Sequence, residues 1–395
     1  MKKKFLILSL FIVYMAIYTH SFAQATDANS LSHDSINSIN DTCTKIRIMC
    51  VGDIMTHFPQ VSAAKVGKKG GYDFASQFEM VSPLLKEGDL VIGNLETVLA
   101  GDHFGFSGYP QFNGPQAIAT CLKRSGFTLL TTANNHSFDQ NLKGLKNTLH
   151  LLDSINILHT GTFANDSASE KSLIVSVKGI DIGVLSYTYG TNSILSDRLQ
   201  KHINIIDSAS ILKEIEFLKK KNVAIIIASI HFGTEYSPQP SDEQKKIVNF
   251  LWQNSVAIVF GHHPHVLQPA IFDSLNNRYA IFSLGNFFSN QFGNNREFGG
   301  ICDIIISNCL EKHVFRIEKA LVHPTCVYHW NDTKRTRFNI LLLNNLPVSK
   351  LYNSNPGYMM KLGDTIKYFD QFLHSLDGNF TYEPLQKSSS SDSCR

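Results

Sequence analysis

The stretch Ser255-Val-Ala-Ile-Val-Phe-Gly-His-His-Pro-His265 constrains the fold most: small and β-branched apolar residues meet a glycine, and three histidines follow within four positions. A continuous apolar run of this kind reads as a strand buried on both faces, the habit of a parallel or mixed sheet covered by helices. Gly261 is expected to turn the backbone and Pro264 to stiffen it, so that two or three imidazoles leave one strand end together. Neutral imidazole is the commonest metal ligand, and neighbouring imidazoles repel once protonated, so the cluster points to a bound cation. A polar loop of surface histidines is the plain alternative.

Four other predicted strands end in the same manner. Lys45-Ile-Arg-Ile-Met-Cys-Val-Gly-Asp53 ends at a carboxylate, and Leu90-Val-Ile-Gly-Asn-Leu-Glu96 carries Asn94 and Glu96 on one face. Phe127 to His136 ends in Asn135-His136, with Asp139 placed to accept the second imidazole N–H and fix the tautomer. Val223 to His231 is a buried strand ending in histidine, with Glu235 close behind. In α/β sheets, ligands gather outside the carboxyl ends of strands, where loops converge. Imidazole nitrogen mixed with carboxylate and amide oxygen suits zinc, manganese or iron better than calcium. Taken singly, Asp53 is also a turn former, Asn94 and Glu96 a solvated edge, Asn135-His136 a helix-capping turn and His231 a core histidine. Five strands ending alike is harder to explain by surface composition. His57 and Glu297 are weaker candidates.

Helical spacing covers Phe74 to Lys86, Ile118 to Ser125, Leu142 to Ile155, Asp207 to Lys221 and Asp242 to Asn254. Leu173 to Val177 and Ile182 to Tyr189 read as a hairpin, and Tyr279 to Asn286, Ile301 to Ile306 and Val314 to Val322 as strands of a more antiparallel second half. The pattern is α/β. The Gly/Phe/Tyr-rich loop from Ala100 to Pro115 either lines an entrance with Phe104, Phe106, Tyr109 and Phe112 or packs those rings onto the domain.

At 395 residues the chain fits one large domain with extensions. Lys2, Lys3 and Lys4, the apolar run Phe5 to Tyr18 and the small-residue site Ser21-Phe22-Ala23 predict an export signal over residues 1–23, a retained N-terminal anchor being the alternative. A polar leader (24–44), the domain (45–330) and a C-terminal extension with a Ser-rich, disordered tail (331–395) follow. Periplasm or cell envelope is the expected compartment. Removing the signal takes the formal charge from +3 to about zero, and without a basic stripe nucleic acid is not an indicated partner. The cysteine count is seven, an odd number, and no C-x-x-C occurs; Cys43 with Cys50 is a candidate disulfide.

In order along the chain stand Gly52-Asp53-Ile-Met55, Asn94-Leu-Glu96, Ala133-Asn-Asn-His136 with Asp139, His231-Phe-Gly-Thr-Glu235, Gly261-His-His-Pro-His265 and Ser283-Leu-Gly-Asn-Phe287. Together they resemble the capsule-synthesis proteins of the CapA type, associated with poly-γ-glutamate and similar in turn to calcineurin-like metallophosphatases. The resemblance spans about Lys45 to Val322. It implies a metallophosphatase-type sandwich of two mixed β-sheets flanked by helices around a centre of two divalent cations (Mn, Fe or Zn). Asp53, Glu96, Asn135, His231, His263 and His265 would be metal ligands, Glu96 standing where metallophosphatases place a bridging aspartate, while His136 would face the leaving group. His262 competes with His263 for its role; His57, Asn94 and Glu235 are additional candidates.

Two positions depart from the phosphatase pattern. Met55 stands in place of a histidine, and a thioether is a poor partner for a hard cation unless His57 reaches back. Glu96 replaces an aspartate. Two functions therefore follow as expectations. One is a metal-dependent hydrolase acting on an anionic exopolymer or its precursor, within a membrane-bound capsule-synthesis complex; the other is a non-catalytic scaffold of a capsule export or attachment assembly. No G-x-S-x-G elbow supports a serine hydrolase, and Gly67-Lys-Lys-Gly-Gly71 lacks the spacing of a phosphate-binding P-loop.

Overall fold

Strand β1 (Thr44–Ile54) sets the frame: Ile46, Ile48 and Cys50 pack on one side and Met49 and Val51 on the other, and all five are fully buried. Successive side chains leave opposite faces of a strand, so burial of both sets requires a cover on each face of its sheet. The computed structural model describes residues 43–67, 70–165, 172–309, 314–331 and 336–343. The expected signal, nearly all of the leader and the helical stretch expected over Met359 to Leu376 lie outside the described residues.

Strands follow in chain order as β2 (Lys65–Val66), β3 (Gly71–Tyr72), β4 (Leu90–Leu95), β5 (Leu129–Thr131), β6 (Leu158–Thr160), β7 (Leu173–Val177) and β8 (Ile180–Thr188). Next come β9 (Ile225–His231), β10 (Ile258–His262), β11 (Ala270–Asp273), β12 (Arg278–Ile281), β13 (Asn286–Phe288), β14 (Phe298–Cys309), β15 (Val314–Asn331) and β16 (Thr336–Leu342). One sheet has the order β16-β15-β14-β1-β4-β5-β6 with β13 beside β1, the other β11-β12-β10-β9-β8-β7; β2 and β3 form a small hairpin. Both sheets are mixed. β1, β4, β5 and β6 run parallel, as do β8, β9, β10 and β12, whereas β14 is antiparallel to β1.

Between the sheets, Ile46, Ile48, Ile92 and Leu129 meet Val184, Ile227, Ile258 and Phe260. The outer face of the first sheet packs Val51 and Val91 against Phe78, Leu122 and Leu152, and that of the second packs Ile230 and Val259 against Ile211, Leu218, Val248 and Leu251. The expected sandwich of two mixed sheets flanked by helices is therefore what forms. Each fully buried aliphatic side chain contributes roughly 1.5–3 kcal/mol to holding it.

Several boundaries differ from the sequence reading, each for a local reason. Phe74 to Lys86 is not one helix but two short ones, Ala75–Phe78 and Ser82–Leu85; Pro83, lacking an N–H, is tolerated only in the first turn of the second. The strand expected from Phe127 to His136 stops at Thr131, because Asn134 and Ser137 side chains bond nearby backbone and fold the chain into turns. Tyr279 to Asn286 splits into β12 and β13, which belong to different sheets. Past residue 330, β16 pairs with β15 and buries Phe338 and Ile340, so the sheet continues beyond the expected domain boundary. The Cys43–Cys50 pairing is not made: Cys50 is free, since strand β1 separates the two by seven residues, roughly 23 Å at 3.3 Å each. Cys43 and Cys309 are each disulfide-bonded.

Near the amino end of β1 an ion network ties it to β14 and β15. Arg47 donates Nε to Asp303 Oδ1 at 2.9 Å and Nη2 to Oδ2 at 2.7 Å, while His323 Nε2 lies 2.9 Å from Oδ2. Burial opposes ionisation of Asp303, but the bonds from Arg47 and His323 prevail and hold its carboxyl at about 2, below the ordinary 3.8. A carboxyl depressed on folding adds stability that is full above its unfolded pKa and is lost as pH falls through the folded one. Asp303→Asn is expected to cost about 1–2 kcal/mol at neutral pH, after allowing for screening at partly exposed Arg47, and the cost is expected to fade as pH falls through about 2. Melting curves of both proteins across that range check this; a constant difference would contradict it.

Candidate metal centre

The carboxyl ends of β1, β4, β9 and β10, with the turn after β5, deliver polar groups to one place. Alternation alone would put Asp53 on the outer face with Val51. The register instead slips between Val51, which pairs with Gly93, and Asp53, which pairs with Asn94. Gly52 is the extra residue, and this bulge swings Asp53 to the face between the sheets, where Asn94 and Glu96 already point. A Cβ at Gly52 would lie 2.0 Å from the Gly285 carbonyl oxygen, so only glycine fits. Gly261 has the same role rather than the expected turn: a Cβ there would lie 2.0 Å from the Phe282 carbonyl oxygen. The turning is done by His263 and His265, at φ 96° and 59°. Non-glycine residues in this left-handed region are strained, and such strain persists where surrounding structure holds it.

Asp53, Glu96, His231, His263 and His265 are all buried, and their ligand atoms converge. One ligand atom each from Asp53, Glu96 and His231 lies within 4.8 Å of the others, and the same holds for Glu96, His263 and His265. Glu96 belongs to both groups. His265 Nδ1 lies 2.9 Å from Asp53 Oδ2, His262 Nδ1 is 3.4 Å from Asp53 Oδ1, and Asn94 Nδ2 donates to Asp53 Oδ1 at 2.8 Å. His231 Nε2 faces Glu96 Oε1 at 3.5 Å and the Asn135 side-chain oxygen at 2.9 Å.

The electrostatics fit cation binding. Burial, then the charge of Asp53, pushes the Glu96 carboxyl well above its usual range. Burial also raises Asp53, but the facing His262 and His265 outweigh it and hold that carboxyl low. Burial and neighbouring imidazoles lower His231 strongly and His263 to about 3, leaving both neutral and able to ligate. Protein groups alone leave Glu96 Oε1, His263 Nδ1 and both ring nitrogens of His262 buried without a hydrogen-bond partner. Buried polar atoms of this kind are costly unless something binds them. Divalent zinc, manganese or iron matches that donor set.

Beside this cluster, His136 Nδ1 lies 2.7 Å from Asp139 Oδ2, which also accepts the Phe112 N–H at 2.7 Å. The Phe112 ring stands edge-on to His136 and to His57, with centroids 4.7 and 5.0 Å apart. Phe112 thus packs behind the dyad rather than lining an entrance.

A profile of the family described as bacterial capsule synthesis protein PGA_cap matches residues 47–291. The chain belongs to that family. It is 29% identical over 257 residues to capsule biosynthesis protein CapA of Bacillus anthracis, covering 62% of this chain and 60% of the relative. It is also 29% identical over 259 residues to PGA biosynthesis protein CapA of Bacillus subtilis strain 168, covering 61% and 62%. The chain thus matches less than two thirds of the length of either relative. Among solved structures, it is similar to calcineurin-like phosphoesterase YfkN from Bacillus subtilis, with TM-score 0.43 at 12% identity over 82% of this chain and 99% of that one. A phosphatase from Mycoplasma pneumoniae matches with TM-score 0.45 at 15% identity over 72% and 94%.

Within this PGA_cap chain, the structure brings Asp53, Asn94, Glu96, Asn135, His136, Asp139, His231, His262, His263 and His265 together. His57 is buried nearby, pushed down to about 4 by burial and by His265, but its Nδ1 accepts the Asn290 N–H at 3.2 Å and it joins neither ligand group. Glu235 is exposed, and Glu297 caps a turn by accepting the Gly293 N–H at 3.0 Å. Sequence reasoning missed Tyr189 and Asn192. Tyr189 is half-exposed and lies parallel to His231 at 6.3 Å and tilted against His263 at 4.7 Å. Asn192 Nδ2 stands 3.4 Å from both ring nitrogens of His136. The signal for both was that β8 runs parallel to β9 with Thr188 paired to His231, so its loop opens at the same sheet end.

Proposed function

We propose that this PGA_cap-family protein is a metal-dependent hydrolase of the cell envelope, acting on an anionic exopolymer or its precursor alongside membrane-bound capsule-synthesis partners. The observation that carries the reading is Glu96, buried and common to two separate ligand groups. Asp53, Glu96 and His231 would hold one divalent cation and Glu96, His263 and His265 a second, with Asn135 as a further oxygen donor. Such a pair, when bound, supplies Lewis acidity that acidifies water and offsets charge at the scissile group. Asp139 fixes the ring of His136 through Nδ1, which leaves Nε2 to carry a proton to the departing oxygen or nitrogen. Tyr189 shields one side of the cluster from solvent, and Asn192 limits how far His136 can swing.

The names of the relatives support envelope location and a capsule role. No helix among the described residues is long and apolar enough to cross a membrane. The test is metal content of the purified chain together with turnover of a phosphodiester and of a γ-glutamyl peptide. Bound manganese, iron or zinc with metal-dependent turnover of either substrate supports the hydrolase. Metal-loaded protein that turns over neither would favour the non-catalytic reading, for which buried Met55, in a position the phosphatase pattern gives to histidine, is the supporting observation.

A further inference from the structure

Aromatic rings exposed to solvent are concentrated at the metal centre. Among the described residues, Phe58, Tyr109, Tyr189, Phe217 and Tyr236 are the exposed aromatic side chains, and all but Phe217 stand on loops that reach it. Phe58 follows His57, Tyr109 shares a loop with Phe112, and Tyr189 and Tyr236 follow β8 and β9. A Cβ at Gly108 would lie 2.9 Å from the Phe58 backbone nitrogen, so the first two loops touch. Single exposed rings need no explanation, but rings gathered at one place mark an interaction site.

These loops frame the proton donor. His136 has Phe112, on the Tyr109 loop, edge-on at 4.7 Å, and the Asn192 amide, on the Tyr189 loop, at 3.4 Å. Tyr236 is already engaged, with the Arg296 guanidinium 5.1 Å from its ring centre. Tyr109 and Tyr189 are more open, at 74% and 46% exposure. A group leaving toward His136 would therefore meet flat rings with an amide between them. A sugar has the matching make-up: an apolar C–H face that lies on the negative face of an aromatic ring, and edge hydroxyls that both donate and accept. An acidic peptide chain has no flat face to lay there, and a lipid chain would leave the amide unpaired. A nucleobase has such a face, but the chain has no basic stripe to hold a nucleic-acid backbone.

We propose that Tyr109 and Tyr189 are sugar-stacking residues, and that the group leaving toward His136 is a saccharide in a phosphodiester-linked sugar polymer. The proposal rests on the hydrolase reading, whose leaving group it names. The linkage itself supplies the negative charge of the polymer. In hydrolysis the water oxygen bonds phosphorus, one P–O bond to a sugar oxygen breaks, and His136 gives that oxygen a proton while the water releases one. The products are a phosphomonoester and a free sugar hydroxyl.

Steady-state kinetics of the metal-loaded full chain test it, with a phosphodiester joining two sugars, one joining two linear alcohols, and a γ-glutamyl peptide. The sugar diester is expected to be preferred at least tenfold in kcat/KM. Tyr109→Ala and Tyr189→Ala should each reduce that preference about tenfold, mainly through KM, a factor in the range that base–aromatic stacking shows on alanine substitution. Tyr109→Phe and Tyr189→Phe, which keep the ring, should retain it. Calorimetry in the presence of a chelator gives a second reading: a neutral disaccharide should bind the full chain saturably, and about tenfold more weakly when both tyrosines are alanine. Turnover without a preference for the sugar diester, a preference unchanged in the alanine variants, or no saturable disaccharide binding would each overturn the proposal and leave the hydrolase reading standing. Metal-loaded protein that cleaves none of the three substrates would overturn both.

Discussion

Glu96→Gln is expected to abolish two-ion binding while leaving the metal-free protein at least as stable as the parent. Glu96 is the residue common to both ligand groups, so its loss removes a donor from each ion at once. Outer-shell changes at metal sites already cost about 10–100-fold in affinity, and losing a shared ligand should exceed that range. Stability moves the other way. Without a cation, the Glu96 carboxyl is fully buried near Asp53, one oxygen has no partner, and burial disfavours its charge. An amide of the same shape carries no charge to desolvate, and its oxygen can still face the His231 Nε2–H, which bonds the Asn135 side-chain oxygen. Calorimetric metal titration and melting of the metal-free proteins separate the two effects. A variant that still takes up two ions, or one that melts far below the parent, would show Glu96 to be a structural residue.

The second large effect belongs to His136. Its replacement by alanine is expected to lower kcat by about 10²–10⁴, the usual worth of a positioned proton donor, with metal content unchanged. The ring belongs to neither ligand group; it is held by Asp139, packed on Phe112 and flanked by Asn192. Asp139→Asn should fall between parent and His136→Ala, because an amide oxygen can still accept from His136 and Phe112 but carries no charge to support an imidazolium. Turnover with a substrate whose leaving group needs no proton discriminates further: the His136→Ala deficit should shrink there. An equal deficit with both leaving groups would argue that His136 only shapes the pocket.

Much of this was legible in the residues. β-Branched runs ending in Asp, Glu, Asn or His marked the strands and their functional ends, because a strand buried on both faces has no other way to present a polar group. The placement of Asp53 was not legible, since period-2 alternation puts it on the outer face and only the bulge at Gly52 reverses that. Nor was the role of Gly261, read as a turn but required by the Phe282 carbonyl, a contact distant in sequence. The division of Tyr279 to Asn286 between two sheets also escaped, because a run of apolar residues does not say which sheet it joins. Tyr189 and Asn192 follow a strand that ends in threonine, without chemistry of its own, and gain meaning only from the pairing of β8 with β9. Glu235 shows the converse: close in sequence to His231, it faces solvent.

A crystal structure of the metal-loaded protein, with anomalous scattering measured at the metal edges, tests the central claim most directly. Two ions, both bound by Glu96, one also by Asp53 and His231 and the other by His263 and His265, is the predicted result. Ions bound elsewhere, or a fully loaded protein in which Glu96 touches none, would contradict it.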